Sequence, residues 1–227
     1  MSAEGIHAHP TLKLGRRPHD PARPVLQLAD ILTGQAPAAP IAVPDTFDDT
    51  LGVVYGLDRN DTFGVCVPTG YDNLRRTITR LLAGVQKTAT WDVVMAWYRT
   101  QNPDFDPATG AGDRGMNIAE FLTYLVKCGE ILAFAKVDPH NETELRAAEY
   151  LFLALMAGVD LEEAQQAQTS TGRWDYHQSP DWGGHCVVYV ASEAGGLDDV
   201  ITWAERVRTT AAFRARQLSE LYVVVRP

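Results

Sequence analysis

The chain has 227 residues, of which 45 % are hydrophobic and 22 % charged, with three cysteines and a formal charge of −9. Such a composition excludes wholesale disorder and fits one globular domain with room for a tail. It argues against a disulfide-stapled secreted domain and against nucleic acid as a bulk partner. No stretch approaches the ~18 apolar residues of a membrane helix.

Residues 1–25 carry Lys13, Arg16, Arg17 and Arg23 against Glu4 and Asp20, a net of +2, so the rest of the chain holds −11. MSAEGIHAHPTLKLGRR at the start lacks the apolar core of a secretion signal. Seven prolines between Pro10 and Pro44 favour extended chain over helix or central strand. Residues 1–50 therefore read as a proline-rich arm, with one short helical candidate at Leu26–Leu32, and residues 51–227 as the body. An arm of this kind is ordered only where it packs on its own body or on a neighbouring subunit.

Beyond the arm, Cys66–Gly84 has helical spacing through Tyr71, Leu74, Ile78, Leu81 and Leu82. Thr90 caps a second helix with Trp91, Val94, Met95 and Tyr98 on one face. Asn102–Gly115 reads as a loop. Asn117 with Glu120 opens a helix that stops at Gly129. Ile131–Val137 is a strand candidate, and Asn141 with Glu144 opens another helix. Tyr150–Val159 is continuously apolar, which periodicity assigns to neither state. In the last third, His185–Ala191, Val200–Trp203 and Leu221–Arg226 read as strands. Helices followed by strands imply an α+β fold with an antiparallel sheet.

Cys66 begins the first strong helix, where the dipole and free backbone N–H groups favour thiolate. Gly64 lets the chain turn into that helix. His185 opens a strand after Gly183 and Gly184, which permit a close approach by another segment. A cysteine and a histidine this far apart in sequence are what a thiolate–imidazolium site predicts. Asn60, six residues before Cys66, is a candidate oxyanion donor. Cys128 and Cys186 read as packing residues. Trp174, Trp182 and Trp203 roof the cleft or fill the core near His185, with core the assignment for Trp203. No CxxC, HExxH or glycine-rich phosphate loop occurs, so no metal and no cofactor are expected.

The segments NDTFGVC, WGGHCVVYV and ITWAERV, in that order, resemble the papain-like cysteine peptidases. With VDPHN at 137–141 and TWAER, the chain resembles more closely the papain-fold proteins of tailed actinobacterial phages and prophages. The resemblance implies a papain-like fold with Cys66 as nucleophile, His185 as base and Asn60 at the oxyanion. Its third catalytic position falls on Ile201, which cannot orient an imidazole; Asp198 or Asp199 are the nearby substitutes. It implies, first, a virion-associated structural protein: a minor capsid, decoration or tail component with a degraded site. Its partners would be other virion proteins or further copies met through the arm, with no nucleic acid or membrane, in the virion or host cytoplasm. On this reading a cleft filled by the arm or by a neighbouring chain decides for the structural role. The alternatives are an active cysteine peptidase or isopeptidase, and a phage cell-wall hydrolase of the NlpC type. That last family sets its histidine closer to the cysteine and has a DCSG segment that is missing here.

Overall fold

A computed structural model of the protein describes residues 12–33, 42–193 and 195–227. In chain order come β1 (Arg16–Arg17), α1 (Leu28–Thr33), β2 (Phe47–Asp48), α2 (Cys66–Ala83), α3 (Trp91–Arg99), β3 (Met116–Asn117), α4 (Ile118–Lys127) and β4 (Ala133–Val137). They are followed by α5 (Glu142–Phe152), β5 (Leu155–Glu162), α6 (Ala164–Thr169), β6 (Arg173–Trp174), β7 (Asp181–Glu193), β8 (Leu197–Thr202), β9 (Glu205–Thr209), α7 (Ala211–Gln217) and β10 (Leu218–Val225).

Capping residues set the helix starts. The Thr90, Asn117 and Asn141 side chains each accept an N–H three residues on, from Val93, Glu120 and Glu144. Asn141 closes the VDPHN stretch, so that motif is a strand end and a helix cap. α2 stops at Gly84, whose φ of 67° is the left-handed conformation that glycine adopts freely. Pro68 sits in the first turn of α2, where a missing N–H costs nothing.

The strands form a sheet in the order β4-β10-β5-β7-β8-β9-β6, with β2 added to the far end of β7. All pairings except β6–β9 are antiparallel. Alternation gives the sheet two buried faces. One carries Met156, Cys186, Val188, Val190, Ile201, Tyr222 and Val224, and packs with α2, α3 and α4. The other carries Val159, Val187, Tyr189, Val200, Val207 and Val223, and packs with Leu28, Leu145, Trp174 and Phe213. Burying aliphatic side chains on both faces, at ~25 cal/mol per Å² of apolar surface, is the main stabilisation. The apolar run at 150–159 resolves into the end of α5 and the start of β5, separated by Leu153 at φ 67°.

From residue 12 on, the described part of the arm lies on its own body. β1 pairs in parallel with β3, Arg16 opposite Met116. α1 packs Leu28 against β4, and β2 pairs with β7. The arm's remaining residues, 1–11 and 34–41, lie outside the described ones. No helix among the described residues is long and apolar enough to cross a membrane.

Candidate functional site

α2 begins at Cys66 because Val65 ends a tight loop and its carbonyl accepts the N–H of Thr69 at 3.1 Å. That loop is tethered by Asp113, whose carboxylate accepts the Gly64 N–H at 3.0 and 3.1 Å and the Tyr98 hydroxyl at 2.5 Å. Gly64 is needed for a reason other than a tight turn. A Cβ there would stand 2.8 Å from Asp113 Oδ1 and 3.3 Å from the Gly15 Cα. The residue at 64 must be bare because the arm passes over it.

Gly15 is sandwiched in turn. A Cβ on it would overlap the Gly64 carbonyl, and one on Gly115 would overlap the Gly15 carbonyl, which accepts the Met116 N–H at 2.7 Å. On the opposite wall, a Cβ on Gly184 would overlap the Arg16 carbonyl. The approaching segment that Gly183 and Gly184 admit is thus the chain's own residues 14–16, which cross a cleft between the helical part and the sheet. A crevice of about 350 Å³ remains beside them, walled by Asp113, Gly115 and Trp182 among others.

Beneath this crossing, Cys66 is fully buried. Burial pushes its thiol up to about 11, although the backbone N–H groups of Cys186 and Gly15 face the sulfur and the Arg16 charge lies close by. The helix start alone predicts a lowered thiol; with the arm in place, loss of water outweighs dipole and N–H groups together.

His185 is also fully buried. Its Nε2 hydrogen-bonds the Thr202 hydroxyl at 2.7 Å, and its ring stacks on Trp203 with centroids 4.3 Å apart and planes 20° from parallel. Nδ1 is buried without a hydrogen-bond partner among the described residues. Burial, then the Arg16 charge, push the imidazole down to about 3. No hydrogen bond joins this ring to the Cys66 sulfur.

The third position is thereby corrected. Ile201 pairs with Val188 and points into the helix-side core. One residue further on, Thr202 faces His185. Asp198 and Asp199 are not substitutes, being taken by Arg214 at 2.6 Å and by Arg206 and Arg208. Thr202 and Trp203 are presented by the two-residue β8–β9 turn, in which Trp203 and Ala204 have φ of 46° and 66°. Both central residues at positive φ give the hairpin turn that matches strand twist, and without glycine it stores strain. Trp203 meets Trp174 and Trp182 with centroids 6.2 and 5.9 Å away, so it covers the imidazole as well as filling the core.

Asn60 is 2 % exposed, in a loop held by its N–H to the Leu57 carbonyl at 2.8 Å and by left-handed Asp58 and Arg59. Its Oδ1 is buried without a hydrogen-bond partner among the described residues. No hydrogen bond joins Asn60 to Cys66. Cys186 packs with Cys66 and α2, as a core residue does, whereas Cys128 is exposed. Among the described residues no group of three or more His, Cys, Asp or Glu could hold a metal.

Two parts meeting at a cleft, with a cysteine at a helix start on one side and, on the other, a histidine four residues into a strand that begins at Asp181 rather than at the histidine, make the papain-like cysteine protease fold. The chain superposes on xylellain, a cysteine protease from Xylella fastidiosa, with a TM-score of 0.73 over 96 % of this chain and 97 % of that one, at 12 % identity. It superposes on procathepsin B S9 from Trypanosoma congolense with a TM-score of 0.62 over 96 % and 87 %, at 10 % identity. For digestive procathepsin L 3 of the Tenebrio molitor larval midgut the TM-score is 0.54 over 83 % and 72 %, at 10 % identity. No protein-family model matches the sequence, and no curated protein matches it.

Proposed function

We propose that the protein is a cysteine hydrolase of a peptide or isopeptide bond, latent in this conformation because its own arm lies over the nucleophile. The observation that carries this reading is the dressed histidine. His185 has Nε2 engaged by Thr202, a tryptophan over its ring, and Nδ1 left bare. A buried polar atom without a partner is costly, and such an atom at a cleft points to a role outside folding.

In the open form water returns, the thiol falls, the imidazole rises, and the proton of Cys66 passes to His185 Nδ1. The sulfur adds to the scissile carbonyl carbon. The oxyanion so formed is met by the Cys66 backbone N–H and the Asn60 side-chain amide. Collapse breaks the C–N bond, and the leaving amine takes the proton from Nδ1. A water then gives a proton to His185 and its oxygen to the thioester, releasing the acid and returning the proton to sulfur.

Cleft occupancy also favours a second reading, in which the site is retired and the protein serves as a structural part of a virion. That role rests otherwise on the sequence resemblance. The two part on the variant Gly15→Val in the full chain, which cannot fit between Gly64 and Gly115. As a hydrolase, this variant cleaves denatured casein, and adding Cys66→Ala abolishes the cleavage. A folded Gly15→Val protein with no more cleavage than its Cys66→Ala counterpart refutes the hydrolase.

A further inference from the structure

Cys186 is a sulfur nucleophile that the proposed reaction leaves unused. Alternation along β7 puts its side chain with Val188 and Val190 on the face of the sheet toward α2. Its backbone N–H faces the Cys66 sulfur, and its own sulfur is three bonds from that nitrogen. A Cβ on Gly70 would stand 3.0 Å from the Cys186 sulfur. Gly70 follows Cys66 by four residues, one turn along the same face of α2. A bare position on the helix thus makes room for the second sulfur beside the first. The two groups are near enough for charge on Cys66 to act on Cys186, whose thiol is held well above its ordinary range by burial, then by Cys66 and Glu220. The third cysteine, Cys128, ends α4 and is exposed.

We propose that Cys66 and Cys186 form a peroxide-sensitive pair, closing to a disulfide that turns the uncovered site off. The proposal goes beyond the hydrolase reading and needs only an uncovered Cys66. The pair is asymmetric, which orders the steps. Opening the cleft returns Cys66 to water and lets it ionise, while Cys186 stays beneath α2 as a thiol. The Cys66 thiolate attacks one oxygen of hydrogen peroxide. The O–O bond breaks, leaving sulfenic acid on Cys66 and releasing hydroxide. The Cys186 sulfur then attacks the Cys66 sulfur. The S–O bond breaks, and the departing hydroxide takes the Cys186 proton as water. Two electrons have passed from the thiols to the peroxide, and a dithiol reductant restores both thiols. The disulfide ties α2 to β7 and keeps Cys66 from irreversible sulfinic acid when the arm no longer covers it.

The test uses the full chain carrying Gly15→Val and Cys128→Ala, which leaves the pair as its only thiols. Hydrogen peroxide is added in small excess, free thiols are capped in denaturant, and the digest is read by mass spectrometry. A peptide linking Cys66 to Cys186 is expected, and dithiothreitol should remove it. The chain with Gly15 intact should link at least about tenfold more slowly, because its thiol is covered. With Cys186→Ala added, Cys66 should run on to sulfinic acid, which dithiothreitol does not reverse. Should Gly15→Val fail to fold, Arg16→Ala loosens the same segment, and prolonged exposure of the natural arm reads the pair through transient opening. Folded chains with both cysteines that carry Cys66 to sulfinic acid without the link, or keep both thiols free after prolonged exposure, would overturn the proposal. Linkage with no casein cleaved leaves the pair standing and refutes the hydrolase. Casein cleavage that peroxide stops and dithiothreitol fails to restore does the reverse.

Discussion

Among the places where the N-terminal segment is fastened to the body, the cleft and the back of the sheet are built differently. At the cleft, residues 14–16 touch the body backbone to backbone, through positions kept bare by Gly15, Gly64, Gly115 and Gly184. At the back of the sheet, residues 44–50 are held by long charged side chains. Arg146 donates to the Pro44 and Asp45 carbonyls at 2.7 and 3.0 Å and to the Ser192 hydroxyl at 2.6 Å, and Arg206 pairs with Asp48 at 2.8 Å. The adjoining seam contains Asp198 bound by Arg214, and Glu149, fully buried with neither carboxylate oxygen bonded among the described residues. Both places bury polar groups with unmet bonding capacity. At the cleft the group is an imidazole nitrogen, which the proposed reaction uses; at the back it is the Glu149 carboxyl, in the packing of α5 against β7. On the hydrolase proposal the front contact covers chemistry and the back contact is structure, so changes at the two should separate activity from stability.

The sharpest separation comes from Thr202. In a chain opened by Gly15→Val, Thr202→Val should lower casein cleavage about tenfold to a hundredfold, because the imidazole loses the partner on Nε2. Thr202→Ser keeps a hydroxyl there and should retain most of the rate. Equal rates for the valine and serine variants would mean that Thr202 only fills space.

At the back, Glu149 is held well above the usual carboxylate range by burial, then by the charge of Asp198. A carboxyl of this kind binds more protons folded than unfolded. The stability it supports is complete below its unfolded value of 4.5 and is lost as pH rises toward the folded one. Glu149→Gln removes that loss. It should raise Tm by about 4 °C near neutral pH, nothing resolvable near pH 4, and leave cleavage by the opened chain unchanged. Thermal melts at the two pH values decide this, and a destabilised glutamine variant at neutral pH would break the comparison. The smallest effect belongs to the β8–β9 turn, where Ala204→Gly relieves a left-handed alanine and should add up to about 1 kcal/mol in denaturant melts.

Much of this was legible in the sequence for local reasons. Capping side chains and Gly84 mark the helices, and Cys66 and His185 stand at a helix start and near a strand start. Thr202 was not legible because strands have a period of two: Ile201 and Thr202 face opposite sides, and only the pairing register says which meets the imidazole. The arm's path was hidden for a different reason. The contacts of Arg16 with Asp160 and Glu220 span 144 and 204 residues. The available signal lay in the bare glycines at 15, 64, 115 and 184, which together mark a close backbone crossing. β9 follows a positive-φ turn without glycine, so no turn signature announced it, whereas α7 carries a signal that sequence reasoning missed, the capping residue Thr210.

The central claim is that Cys66 is a working nucleophile under a removable cover. Its most direct test is the rate of iodoacetamide addition to each cysteine of the intact chain, followed by mass spectrometry across pH, for the natural sequence and for Gly15→Val. In the natural sequence Cys128 should react and Cys66 should stay unmodified at neutral pH. Opening the cleft should speed Cys66 by at least about a hundredfold, since lowering its thiol from about 11 to the ordinary 9.0 alone multiplies the thiolate by that factor. His185→Ala should leave the part of the gain that comes from uncovering and remove whatever exceeds it, which the imidazole supplies. A folded Gly15→Val protein whose Cys66 stays as unreactive as before, or reacts equally without His185, would contradict the account.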